Sequence, residues 1–268
     1  MFPKVQSPES RRMITLEVRR TTRTSPGFTT VTLGGPELAH LLPTGRDQAV
    51  RLFFPRAGQD GLTMPTLSSE AWMAQILLLP KSRRPWVRNY TVRRVRPELD
   101  ELDIEFALHG GDTPACAWAL GARPGDPAGI FDMGLTYLPP AGAGEQLLVA
   151  DESAVPAALA ILEHAPASLV AQVFLEVPGT ADIRTDLAAP EGVRVHWLAR
   201  DGSAGIPGRL ALDELRAATL PQGLSYTWAA GESGLVTGVR RHLVRDRGVP
   251  KSDIAFHGYW RHGRSSPG

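Results

Sequence analysis

Cysteine is almost absent from this chain: Cys116 is the single one in 268 residues. An intrachain disulfide, a four-cysteine iron–sulfur cluster and a cysteine-built zinc site are therefore excluded. The seven histidines show no H-E-x-x-H or comparable ligand spacing, so no intrinsic metal site is expected. Redox chemistry in such a chain has to be carried by a bound organic cofactor. Long apolar runs are also missing, and the opening MFPKVQSPESRRM lacks the apolar stretch of a signal peptide. A cytoplasmic location without membrane insertion is expected. Neither sign of charge is in excess: 29 Lys and Arg against 28 Asp and Glu leave +1, so the net charge gives no wholesale attraction to nucleic acid or anionic membrane.

What is present describes a folded protein, with 43% hydrophobic and 21% charged residues and a length that allows one large domain or two ordinary ones. The first half reads as short strands punctuated by Gly and Pro: Ile14 to Val18, Phe28 to Leu33, Ala49 to Phe54, Trp86 to Val95 and Leu102 to Leu108. Between the third and fourth lies a long connection with a short helix expected over Ser69 to Leu79, capped by Ser69. So many strands and so little helix predict a small antiparallel barrel, finished by Ala128 to Pro140. Ala141-Gly142-Ala143-Gly144 marks a boundary, giving domains 1–142 and 143–268. Beyond it, Gln146 to Ala150 is a continuous apolar strand, followed by a helix from Ala154 to about His164. Strand signals recur at Leu169 to Val177, Val193 to Leu198, Ser225 to Ala230 and Ile254 to His257, with the clearest later helix from Glu232 to Arg247. This alternation predicts a doubly wound parallel sheet.

Chemistry concentrates in a few stretches. On an extended segment Arg88, Tyr90 and Val92 share one face, with Thr91 and Arg93 on the other. The ring of Tyr90, the guanidinium of Arg88 and the hydroxyl of Thr91 suit a ligand that carries both a flat ring and a phosphate, such as a flavin nucleotide. The alternative is a half-buried aromatic with a solvated rim. Thr113 as N-cap and Pro114 at the first helical position open a helix whose N-terminus favours a phosphate, or an ordinary capped helix in which Trp118 is core. In the second half, Asp151-Glu152-Ser153, Gly231-Glu232-Ser233-Gly234 and Gly258-Tyr259-Trp260-Arg261 are loops beyond strand ends, where such sheets bind ligands. Neither of the first two is a G-x-G-x-x-G fingerprint, and Asp151 with Glu152 reads most simply as negative charge at a helix start. Tyr259 and Trp260 are either an interface plug or a cover over a planar ligand.

Together these features resemble the ferredoxin-reductase-like flavoproteins, and within them the siderophore-interacting proteins, which are FAD-containing ferric-siderophore reductases. Three blocks carry the resemblance: Arg88 to Arg93; Asp151 through Ala157; and Trp228 to Glu232 continuing to Gly258-Tyr259-Trp260-Arg261, the most specific. It implies an N-terminal antiparallel β-barrel that binds FAD and a doubly wound domain that binds NADH or NADPH. By this resemblance Arg88 holds a phosphate of FAD, Tyr90 faces the ring, and Thr91 sits beside flavin N5 as the residue nearest to a catalytic one. His109, Thr113, Ala115 and Cys116 contact the pyrophosphate, with Trp118 nearby. Asp151, Glu152, Ser153, Ala154 and Pro156, with Gly231 and Glu232, receive the nicotinamide donor, and Tyr259 and Trp260 close over the flavin region. Arg51 matches a basic position that attracts an anionic ferric chelate, the implied substrate, and ferredoxin is an alternative donor.

Two departures stand out. Phe131 to Tyr137 replaces a Gly-Pro-rich turn to which a contact with the adenine end of FAD would otherwise be assigned, and Ala150 stands where a glycine is common. Glu176, ending the second parallel strand, leans toward NADH by pairing with a ribose hydroxyl, with Arg184 and Arg200 as opposing cations. Competing readings are a flavin oxidoreductase with another acceptor, a module that binds flavin or ferric chelate without turnover, and two structural domains without a cofactor.

Overall fold

The alternation from Ile14 to Val18 runs on into a 13-residue strand, β1 (Met13–Ser25), with Ile14, Leu16 and Val18 buried between exposed neighbours. In this computed structural model, which describes residues 5–108 and 113–264, the chain forms two units, Gln6–Leu135 and one beginning at Thr136. The first adds β2 (Phe28–Gly34), β3 (Ala49–Phe54), β4 (Trp86–Thr91), β5 (Arg94–Arg96), β6 (Glu101–Ala107) and β7 (Pro127–Gly134). They pair antiparallel in the order β4-β3-β7-β1-β2-β6-β5.

The two ends of that order are consecutive in the chain. Val92 N–H donates to the Gln48 carbonyl beside β3 at 2.8 Å, and Arg93 N–H donates to the Asp103 carbonyl of β6 at 2.8 Å. A sheet whose opposite edges are joined by two residues has to curl shut, so the unit is a barrel. The single strand expected from Trp86 to Val95 is therefore two, because the backbone changes partner at Val92 and Arg93. Inside lie Leu16, Val31, Leu52, Ile104, Phe106 and Ile130. On the outer face α1 (Trp72–Leu78) lays Trp72 and Ile76 on Phe53 and Phe131. It starts after a backbone turn, Trp72 N–H to the Ser69 carbonyl at 3.0 Å, and not from a Ser69 side-chain cap. The helix α2 (Pro114–Gly121) begins as expected, with the Thr113 hydroxyl accepting from Cys116 N–H at 3.3 Å.

On the barrel wall Glu101 accepts from Arg20 at 2.6 and 2.8 Å and from Arg96 at 3.1 Å. These partners, Arg20 first, hold its carboxyl down at about 2. A depressed acid stabilises in full above its unfolded pKa and loses that contribution as pH falls through the folded one. Glu101→Gln is therefore expected to flatten the fall of the thermal midpoint between about pH 5 and about pH 2. An unchanged slope would show that the cluster contributes nothing.

The second unit contains β8 (Gln146–Ala150), α3 (Val155–Glu163), β9 (Ala171–Val177), β10 (Val193–Ala199), α4 (Arg209–Ala217), β11 (Tyr226–Glu232), α5 (Ser233–Asp246) and β12 (Ile254–Trp260). The strands are parallel in the order β10-β9-β8-β11-β12, which reverses between β8 and β11. Residues 136–140, expected to finish the barrel, are held here instead. Tyr137 donates its hydroxyl hydrogen to Gln146 at 2.6 Å, Leu138 N–H donates to the Tyr226 oxygen at 2.9 Å, and Trp228 Nε1–H donates to Thr136 Oγ1 at 3.3 Å. These bonds place the division at Leu135 and Thr136, ahead of the Gly-Ala linker.

Candidate functional site

Arg88 and Tyr90 lie on β4 opposite Leu52 and Val50, the barrel-facing residues of β3. The Tyr90 ring packs on Phe106 with centroids 4.3 Å apart, and Trp118 of α2 continues the stack, 5.9 Å from Phe106 and 5.0 Å from Phe54. Burial pushes the Tyr90 phenol above its usual range, so it stays neutral. Two residues earlier on the same face, Trp86 carries guanidinium groups from both Arg56, 3.9 Å from the ring centroid, and Arg88, at 4.9 Å. Neither cation makes an ion pair among the described residues. Burial lowers the Arg88 pKa, and the like charge of Arg56 adds to the shift. Two half-buried guanidinium groups on one ring, with no counter-charge among the described residues, suit an anion such as phosphate.

The Thr91 side chain is buried, and its hydroxyl has no hydrogen-bond partner within the described protein. At the start of α2, Cys116 N–H goes to the Thr113 hydroxyl and Ala117 N–H to the Thr113 carbonyl. Pro114 has no N–H, and the Ala115 N–H has no acceptor among the described residues. Cys116 is buried with its thiol on the Ala107 carbonyl at 3.5 Å, and Trp118 Nε1–H is buried without a partner among the described residues. His109 lies outside the described residues. A flat ring on Tyr90, a hydrogen bond at Thr91 and a phosphate at Arg88 fit FAD.

Arg51 does not join this group. It sits opposite Asn89, whose Oδ1 accepts from its Nη1 at 2.6 Å, on the outer face between Val50 and Leu52, which point inward. Its Nε is buried without a partner among the described residues, and burial lowers its pKa. The cation that accompanies Arg88 is Arg56, which sequence reasoning passed over. The readable signal was Trp86, two residues before Arg88 and so on the same face of β4.

In the second unit the predicted donor-site residues gather at the C-terminal ends of β8 and β11, the point where strand order reverses. Asp151 organises them. Its carboxylate accepts from Ser153 N–H at 2.9 Å, the Ser153 hydroxyl at 2.6 Å, Glu232 N–H at 2.6 Å and Trp260 Nε1–H at 3.3 Å. Burial first, and the neighbouring Glu152 second, raise its pKa to about 6. Gly231, at φ 134°, makes room for it: a Cβ there would lie 2.6 Å from the Asp151 carboxyl carbon.

The reading of Asp151 and Glu152 as helix-start charges is corrected, because both side chains are committed elsewhere. Glu152 is paired with Arg200, and α3 begins from Ala154, whose N–H goes to the Asp151 carbonyl, with Pro156 in its first turn. Two expected loops are also absent. β11 passes directly into α5 at Ser233, with Glu232 as the N-cap accepting from Gly234 and Leu235 N–H, and Gly258, Tyr259 and Trp260 belong to β12. The Glu232 carboxylate further accepts from His262 N–H at 3.1 Å. The acids of this region are thus used internally, leaving backbone groups to face a ligand.

Glu176 cannot serve a ribose. It is fully buried, accepts from Arg200 Nη1 at 2.8 Å, and takes Gly208 N–H at 2.8 Å and Ala211 N–H at 2.9 Å at the start of α4. Arg200 is held between Glu152 and Glu176, and Arg184 is also engaged, so the cations expected to oppose Glu176 are not free. The described residues hold no cluster of three or more His, Cys, Asp or Glu able to bind a metal, and no helix among them is long and apolar enough to cross a membrane.

A closed antiparallel barrel followed by a five-stranded parallel sheet defines the ferredoxin-reductase-like class. The ferredoxin reductase in carbazole 1,9a-dioxygenase shares this fold at a TM-score of 0.66 and 14% identity, over 93% of this chain and 70% of that one. Family models narrow the class: the siderophore-interacting FAD-binding domain matches residues 17–135, and the siderophore-interacting protein model matches residues 143–263. Ferric vibriobactin reductase from Vibrio cholerae is 32% identical over 238 residues, covering 88% of this chain and 84% of its own. A siderophore utilization protein from T. fusca is 32% identical with a TM-score of 0.82, over 98% and 97% of the two chains. The chain belongs to the siderophore-interacting protein family. Its barrel is an FAD-binding domain, and the protein is a flavin-dependent oxidoreductase.

Proposed function

We propose that this protein is a ferric-siderophore reductase that takes electrons from NADH or NADPH and delivers them to Fe(III) held by a siderophore, releasing Fe(II). The observation that carries this is the uncompensated pair Arg56 and Arg88 on Trp86, beside the Tyr90 ring and the free hydroxyl of Thr91. Bound FAD supplies the conversion of a two-electron hydride into the one-electron steps that iron accepts. The protein's part is to bind and orient. Arg88 takes a phosphate, Tyr90 one face of the ring, Thr91 a heteroatom at the ring edge, and the Thr113 to Cys116 turn the pyrophosphate, with Trp118 supporting Tyr90 through Phe106. Backbone groups of residues 151–156 and of Gly231 and Glu232 receive the nicotinamide donor, with Asp151 fixing their positions. Arg56 and, from the outer face, Arg51 give the barrel positive charge that attracts an anionic chelate. This chemistry draws on NAD(P)H and returns free Fe(II), which suits the cytoplasm.

The test is an anaerobic absorbance series on the purified protein: flavin alone, then with NADH or NADPH, then with a ferric siderophore and a ferrous trap. Bleaching by one donor, followed by reoxidation as Fe(II) appears, is the expected result; flavin that no nicotinamide bleaches would overturn the donor assignment. Arg88→Ala is expected to weaken FAD binding by roughly 10- to 100-fold, the equivalent of one charge-assisted phosphate contact. Tyr90→Ala, which loses a stacking face, is expected to weaken it by up to about tenfold. Full flavin occupancy in either purified variant at nanomolar protein would remove that residue from the site.

A further inference from the structure

The outer face of α1 is apolar and bare. Trp72 and Ile76 point inward onto Phe53 and Phe131, which leaves Met73, Leu77 and Leu78 exposed, Leu78 at 85%. Leu67 is exposed beside them, its N–H held by Gln75 Oε1 at 3.3 Å. A cluster of this kind on an otherwise well-packed barrel marks a contact surface. The residues around it show what it contacts. Lys81 and Arg83 follow directly, both exposed and without an ion pair among the described residues. The one acid of residues 66–85, Glu70, is already paired with Arg11 at 3.2 Å.

Several polar groups of the segment are satisfied from within. Arg84 donates to the Leu77 carbonyl at 2.6 Å and the Leu79 carbonyl at 2.8 Å, closing the C-terminal end of the helix. Gln75 accepts from Thr66 N–H at 2.9 Å and donates to the Thr66 hydroxyl at 2.9 Å. These backbone groups do not depend on water, a condition an interfacial element has to meet.

We propose that α1 and the residues after it dock the protein on an anionic lipid bilayer, with Met73, Leu77 and Leu78 entering the headgroup boundary and Lys81 and Arg83 lying against anionic headgroups. A bilayer suits the patch better than a second copy of the chain. A second copy of the chain would bury the leucines but bring no free counter-charge to Lys81 and Arg83, since the one acid of the patch, Glu70, is already paired with Arg11. A surface of anionic lipid complements both halves of the patch. The net charge of +1 conceals this local excess.

The test is sedimentation of the FAD-loaded full chain with vesicles of phosphatidylcholine alone and of phosphatidylcholine with an equal part of phosphatidylglycerol. Partition into the anionic vesicles is expected to exceed that into neutral ones by at least about tenfold, as two lysine or arginine side chains near the surface provide. Leu77→Ser with Leu78→Ser, both at exposed positions, is expected to abolish binding, and Lys81→Glu with Arg83→Glu to abolish the preference for anionic lipid. Flavin content and thermal midpoint should be unchanged in both. Failure to sediment with anionic vesicles would overturn the proposal, as would sedimentation of the leucine variant at the level of the parent. So would a concentration-dependent dimer that the leucine substitutions dissolve, since the patch would then be an interface between copies.

Discussion

Replacing Arg200 by methionine is expected to destabilise the second unit by about 3 to 5 kcal/mol, the cost of stranding buried acids whose partner has been removed. Arg200 is the cation shared by Glu152 and Glu176, which are 2% and 0% exposed, and its own pKa is raised by those two carboxylates against the opposing effect of burial. The ion pair holds together the ends of β8, β9 and β10, and through Glu176 it also holds the first turn of α4. Without it, two acids lie close together in a poorly solvated place, which disfavours their charged forms. Charging them then opposes folding, so Arg200→Met should be closest to the parent in mild acid and furthest from it above neutrality. The double change Glu152→Gln with Arg200→Met removes one of the stranded charges and should recover part of the loss. Denaturant midpoints across pH measure this; a cost independent of pH would show that packing, not charge, explains it.

This network also shows where sequence reasoning stops. The strand carrying Glu176 was legible because a run of apolar residues buried on both faces has few other readings. The use of Glu176 was not, since its partners come from Arg200, Gly208 and Ala211, brought to it only when α4 folds back on the sheet. The reading of Thr113 and Pro114 succeeded because capping is local, settled within one turn. The break at Val92 and Arg93 was hidden because it depends on which distant strand each N–H finds. Alternation along β4 correctly set Arg88 and Tyr90 on one face, yet it could not show Arg56, whose side chain reaches Trp86 from a loop beyond β3. The family resemblance supplied the FAD-binding barrel. Geometry supplied the second cation, and it set Arg51 on the outer face.

Gly231→Ala should separate the two halves of the reaction. Gly231 stands at φ 134°, where L side chains are strained, and an added Cβ would come within 2.7 Å of both oxygens of Asp151. That carboxylate cannot retreat, since Ser153, the Glu232 N–H and Trp260 hold it. Overpacking costs ~1–3 kcal/mol, and the backbone conformation costs a further ~1–3 kcal/mol. The relief available is to shift Gly231 and Glu232 away from β8, which opens the crevice proposed for the nicotinamide donor. A displacement of about 1 Å there is enough to slow hydride transfer by about 100-fold. FAD should be retained, because the residues that fit it belong to Gln6–Leu135, and dithionite should still bleach the flavin when NADH and NADPH no longer do. Gly258→Ala is the milder control, as its Cβ would come closest to the Ser233 hydroxyl, at 3.0 Å, whose rotation away costs one hydrogen bond to the Trp260 carbonyl. A Gly231→Ala protein that keeps its flavin and reacts with the donor at the parental rate would place the donor elsewhere. One that loses its flavin would show that the clash disrupts more than the crevice between β8 and β11.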